Sequence, residues 1–194
     1  MKNIVDSNMT AAEILAQNPR NPAPTEVLEN LEIVTVEYFG FDNKKHRGQI
    51  VMHKDWVSDV KEFFAEALRL QFPIEKVIPI SHSKYLWDDE RSCEDNNSSG
   101  YNYRIILGTN RLSRHANGLA FDINPVQNIY IRHDEKGNET YRSPKNGMYD
   151  KNAKGTLTQG HPLVSLMRQK GWMWGGDWKK EDGVVDYQHF EKST

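Results

Sequence analysis

Whatever fold this chain adopts, it has to bring its tail beside its middle. Two short segments carry the densest chemistry: Ser113-Arg-His115-Ala-Asn-Gly118-Leu-Ala120-Phe-Asp122, and Asp186-Tyr-Gln-His189-Phe190 near the end. Two imidazoles and a carboxylate, His115, Asp122 and His189, form a three-ligand set for zinc, and a catalytic zinc keeps its fourth position for water. Asp186 is then a spare carboxylate of the kind such a site uses as its general base. If the two segments meet, the chemistry is that of a zinc hydrolase with an unspecified substrate.

The neighbouring residues agree with this use. Gly118 permits a tight turn or a close backbone approach between ligands seven apart. Ala120 keeps the wall small beside the carboxylate, and Asn124-Pro125 ends the strand just beyond it. One point is geometrically awkward. Residues three apart on an ideal strand face opposite ways, so Asp186 and His189 converge only where the strand is bent or strongly twisted.

Composition narrows the alternatives. With 194 residues, 37% hydrophobic and 27% charged, the chain suits one well-cored domain with a short appendage. A net charge of −2, with basic residues scattered among acids, gives no basic stripe, so nucleic acid is not expected as a partner. Cys93 is the single cysteine, which excludes an intramolecular disulfide and leaves His, Asp and Glu to build any metal site. A buried, inert thiol is the expectation there. No apolar run reaches membrane-spanning length, so no transmembrane segment is expected. Residues 1–16 lack the features of a secretory signal, which fits either a protein not exported by that route or a chain that begins after a removed leader.

Periodicity divides the chain into residues 1–30, an N-terminal extension with a proline-rich connector (Asn18 to Pro24), and a catalytic domain over 31–194. Thr10–Gln17 is expected as a short helix, with strands at Leu31–Tyr38 and Gly48–His53. Apolar residues from Trp56 to Leu68 recur at helical spacing, and Pro73 stops that helix. Segments 81–100 and 128–160 read as long loops, more often functional than decorative. Tyr101–Leu107, Leu119–Ile123 and Gly183–Phe190 read as strands, and Pro162–Gly171 as a helix with proline at its start and glycine past its end. His46, His53, His82 and His133 are expected to have no site role, and His161 to sit near a helix cap. Trp172, Trp174 and Trp178 are expected in the core.

The two segments resemble the signatures of a known family. Ser113-x-His115-x-x-Gly118-x-Ala120-x-Asp122 is similar to the first signature of the VanY-like zinc D-alanyl-D-alanine carboxypeptidases. Gly171-Trp172-x-Trp174-Gly175-Gly176-Asp177-Trp178, followed by Asp186-x-x-His189-Phe190, resembles the second, and Asn96 to Arg104 the segment that brings in the family's arginine. The likeness runs from about Leu31 to Glu191. It implies an α+β fold of the hedgehog and D-Ala-D-Ala peptidase type, with a small antiparallel sheet carrying the zinc and packed against helices. It further implies His115, Asp122 and His189 as zinc ligands, Asp186 as base, Arg104 holding the scissile carbonyl oxygen, and Ser113 touching substrate. The implied substrate is a peptidoglycan stem peptide, and the implied location is the cell envelope or periplasm. Release of terminal D-alanine is the expected reaction. An L-alanyl-D-glutamate endopeptidase and a non-catalytic zinc-fold binding module are the alternatives. Some members carry glutamate where this chain has Asp186; the shorter side chain brings the water nearer the backbone.

Overall fold

The computed structural model describes residues 3–179 and 183–192. The outer ends of the two expected units, 1–2 and 193–194, lie outside the described residues. In chain order the elements are β1 (Ile4–Val5), α1 (Ala11–Ile14), α2 (Thr25–Leu28), β2 (Leu31–Phe39), β3 (Lys45–His53), α3 (Val57–Arg69) and β4 (Lys76–Val77). There follow α4 (Asp89–Glu94), β5 (Asn97–Ser98), β6 (Ala120–Asp122), β7 (Tyr130–His133), β8 (Glu139–Ser143), α5 (Pro162–Gln169), β9 (Trp172–Trp174), β10 (Val184–Asp186) and β11 (His189–Lys192). The class is α+β, built from several small sheets rather than one large one.

Helix α3 organises the core. Val57, Val60, Phe63, Phe64 and Ala67 form its buried stripe, at the spacing that puts residues on one helical face. The helix ends at Arg69, four residues before Pro73, and Gln71 between them takes a left-handed backbone (φ 53°). Phe63 stands edge-on to Phe121 at 5.2 Å and to Phe190 at 5.6 Å, and Phe121 stacks on Phe190 at 5.1 Å. Burying each such ring contributes about 1.5–3 kcal/mol. Trp172 and Trp174 join this core, as expected, and so does the β2–β3 hairpin through Val34, Val36, Ile50 and Met52.

The site sits on the sheet of order β6-β11-β9. Its registers pair Phe190 with Phe121 and His189 with Asp122. Successive residues on a strand point to opposite faces, so the phenylalanines enter the core while Asp122 and His189 emerge together on the other side.

The N-terminal residues pack on this body. Thr10 caps α1 in a reciprocal capping box with Glu13, and Ile14 is buried with Ala23 against Val51 and Tyr101. The Asn21 amide also donates to the Tyr103 carbonyl at 2.9 Å.

Several elements differ from expectation. Gly183–Phe190 is two strands: β10 pairs with β7 in one sheet, and β11 with β6 and β9 in another. Tyr101–Leu107 is not a strand, because its backbone groups are divided among neighbours: Tyr101 N–H goes to Val51 O, and Asn102 N–H to His115 O. The expected loop 128–160 contains the β7–β8 hairpin, and 81–100 contains α4 and β5, both too short for periodicity to declare. Helix α5 begins and ends as expected: His161 is its N-cap, Pro162 its first residue, and Gly171 follows with φ 78°. Among the described residues no helix is long and apolar enough to cross a membrane.

Candidate metal centre

His115 lies in a 3-10 turn, Arg114–Asn117, between Ser113 and Gly118. The Ser113 hydroxyl caps the turn by accepting from the His115 N–H at 3.3 Å. Gly118 closes it with φ 65°, and a Cβ there would lie 2.5 Å from the His53 backbone nitrogen. Both the turn and the close approach anticipated for this glycine are present. Its carbonyl accepts from His53 N–H, tying the turn to the end of β3.

His115, Asp122 and His189 converge and are buried together. His115 Nε2 is 3.1 Å from His189 Nδ1 and 3.2 Å from Asp122 Oδ2, and His189 Nδ1 is 3.0 Å from Asp122 Oδ1. Ligand atoms bound at about 2.0–2.1 Å to one tetrahedral ion lie about 3.3 Å apart, so this triangle fits zinc closely. The proton positions fit as well. His115 Nδ1 donates to the Gly100 carbonyl at 2.7 Å, which fixes its proton there and turns the Nε2 lone pair inward. His189 Nε2 faces the Glu191 carboxylate at 3.0 Å, which likewise leaves Nδ1 to bind.

The charges are strongly coupled. Burial acts to raise the Asp122 carboxyl, but the imidazoles of His115 and His189 hold it well below the usual carboxylate range. Burial acts to lower His189, and its hydrogen bonds to Asp122 and Glu191 overcome that, raising it to about 10.

Asp186 ends β10 at the rim of the triad. One of its carboxylate oxygens, Oδ1, is buried with no hydrogen-bond partner. Burial pushes its carboxyl up to about 7, against the opposing pull of His189 and Arg104. A buried carboxyl with a free oxygen and a value near neutrality has the properties of a general base. The awkward spacing from His189 is resolved by the break at Tyr187–Gln188, which moves the chain from one sheet to the other.

Arg104 feels the charges of Asp89, Asp122 and Asp186. Its guanidinium pairs with Asp89 Oδ2 at 3.0 Å, and the Asn102 amide donates to Asp89 Oδ1 at 2.9 Å. Its Nε is buried and unpartnered, leaving a donor for a ligand oxygen.

Residues 107–192 match the family model described as D-alanyl-D-alanine carboxypeptidase. The match covers less than half of the chain and is a likeness to that peptidase family. It contains Ser113, His115, Asp122, Asp186 and His189; Arg104 and the rest of 31–106, which the sequence likeness also took in, lie outside the match. No curated protein and no solved structure matches the chain, so the family model alone carries this assignment.

Three contributors escape a reading of the sequence. Glu191 supports His189 from two residues along the same strand, a period-2 relation that could have revealed it. Trp178, expected in the core, is half-buried with its ring 5.6 Å from that of His189. Asp89 sits on a helix that periodicity does not disclose. Cys93 is buried as expected, and its burial pushes the thiol well above its usual value.

Proposed function

We propose that this protein is a zinc-dependent D,D-carboxypeptidase that releases terminal D-alanine from peptidoglycan stem peptides in the bacterial cell envelope. The observation that carries the reading is one cluster: a ligand triangle of zinc dimensions with a buried carboxylate beside it that has one partnerless oxygen. His115 Nε2, His189 Nδ1 and Asp122 would hold the ion. Bound there, zinc would acidify water and polarise the scissile carbonyl.

The chain's own residues supply the rest. Arg104, oriented by Asp89, donates to the carbonyl oxygen and stabilises the charge developing on it. Asp186 takes the proton from the attacking water and returns it to the departing amine. Ser113 contacts the substrate with its hydroxyl hydrogen, its lone pair being engaged by the turn. The catalytic unit is 31–194, and residues 1–30 are an extension applied to its surface.

Mass spectrometry of products from a defined stem pentapeptide tests the reading. Loss of a single alanine is expected. A cut after the first alanine would replace it with the endopeptidase, and an intact peptide with zinc bound would make the protein a binding module.

A further inference from the structure

A second cleft, of about 520 Å³, shares no lining residue with the metal centre. Phe39 and Phe41 wall it from the β2–β3 hairpin, and Phe72 from the chain leaving α3. Lys151, Lys154, Thr156 and His161 complete the lining, the His161 ring edge-on to Phe72 at 4.9 Å. The volume is that of a small-molecule site.

Its floor is built rather than accidental. The Asn124 amide donates to the carbonyls of Pro73 at 2.7 Å and Gly155 at 3.1 Å, and the Asn128 amide adds a bond to Gly155 at 2.9 Å. Gly155 has φ 79°, and a Cβ on it would lie 2.4 Å from the Phe41 ring, so backbone and ring are closely fitted. On this fixed floor the Thr156 hydroxyl is buried without a partner, in a residue 5% exposed. A buried hydroxyl without a partner is costly unless something else completes it.

The polar lining combines amide and hydroxyl groups (Asn43, Gln71, Thr156 and Thr158), which donate or accept, with His161 and two lysines. His161 Nδ1 accepts from the Leu163 N–H at 3.2 Å, so its proton is on Nε2. Burial lowers its pKa, which keeps the ring neutral and that proton in place at neutral pH. Among the described residues that line the cleft two are lysines, both exposed, and none is a carboxylate. Aromatic walls suit the apolar face of a ring, and donors with cations suit an anionic oxygen.

We propose that this cleft binds a sugar ring bearing an acidic group, and so holds the carbohydrate part of the polymer whose peptides the metal centre cuts. Only the choice of polymer rests on the peptidase reading; the ligand chemistry comes from the cleft. The acid is a carboxylate where a glycan residue has lost its peptide, because the amide that holds the peptide otherwise occupies that carboxyl, and a phosphate if the sugar belongs to an attached polymer.

The test is titration of the intact protein with N-acetylmuramic acid, N-acetylglucosamine 6-phosphate and neutral N-acetylglucosamine. Amide chemical shifts at Phe41, Gly155 and Thr156 report binding. At least one acidic sugar should shift these amides, the stronger of the two identifying the source, and the neutral sugar should bind about tenfold more weakly. Thr156→Val, which removes only the hydroxyl, and Lys154→Ala, an exposed change, should each weaken the acidic sugar about tenfold, the value of one charge-assisted contact. No shift with either acidic sugar, equal binding of the neutral one, or unchanged affinity in both variants would overturn the proposal. Hydrolysis of free stem pentapeptide by the unaltered protein is measured in parallel. It decides the peptidase reading independently, since a short peptide does not require the cleft.

Discussion

His189 stands directly across an antiparallel pair from Asp122, one residue from the stacked pair Phe190 and Phe121. A single register therefore sets two things at once, the contact of two side chains of the candidate metal centre and the packing of two core rings. A slip of β11 by one residue would turn His189 toward the core and Phe190 toward the opposite face. The site is as precise as the core behind it.

Replacing Asp186 by Asn should separate binding from chemistry. The amide is nearly isosteric but cannot accept a proton. Zinc content by elemental analysis should stay near one per chain while kcat on the stem pentapeptide falls by about 10²–10⁴. Unchanged turnover would remove Asp186 from the mechanism.

Glu191→Gln should weaken zinc by about 10–100-fold, as loss of a carboxylate behind a ligating histidine does. Competition with a chromogenic chelator measures this directly. An unaltered affinity would reduce the Glu191 contact to a surface ion pair.

Zinc uptake near neutral pH should release about one proton, because Asp122 and Glu191 hold His189 protonated and binding needs its lone pair. Calorimetry in buffers of different ionisation enthalpy counts it. The same titration should restore activity to chelator-treated protein.

His46 gives stability its own pH dependence, away from the metal. Its ring bridges Asp6 Oδ2 at 2.8 Å and Asp42 Oδ1 at 3.0 Å, tying the N-terminal strand to the hairpin. Burial acts to lower its pKa, but the two carboxylates win and raise it. A raised value means stabilisation that is complete below the unfolded value of about 6.5 and is lost as pH climbs through the folded one. The thermal midpoint of the parent should thus exceed that of His46→Gln by more at about pH 6 than at about pH 9. A constant difference would show that the bridge does not titrate.

Much of this site was legible before any coordinates. His115, Asp122, Asp186 and His189 announce themselves by type and spacing, because metal ligation and proton transfer admit few residues. The stripe on α3 and the start of α5 are equally plain, since burial and capping leave local marks. The β7–β8 hairpin is not plain: its residues are half-buried and polar, so alternation is faint. Tyr101–Leu107 misled for the converse reason. Its side chains alternate, but its backbone bonds to several separate partners, and pairing of that kind is decided by tertiary structure alone.

The change of sheet between Asp186 and His189 also bears on how the centre tolerates motion. Asp186 and His189 ride on different β-layers joined by the two residues Tyr187 and Gln188. A shift of one layer against the other would change the distance from Asp186 to His189 while the pairing of His189 with Asp122 stayed as it is.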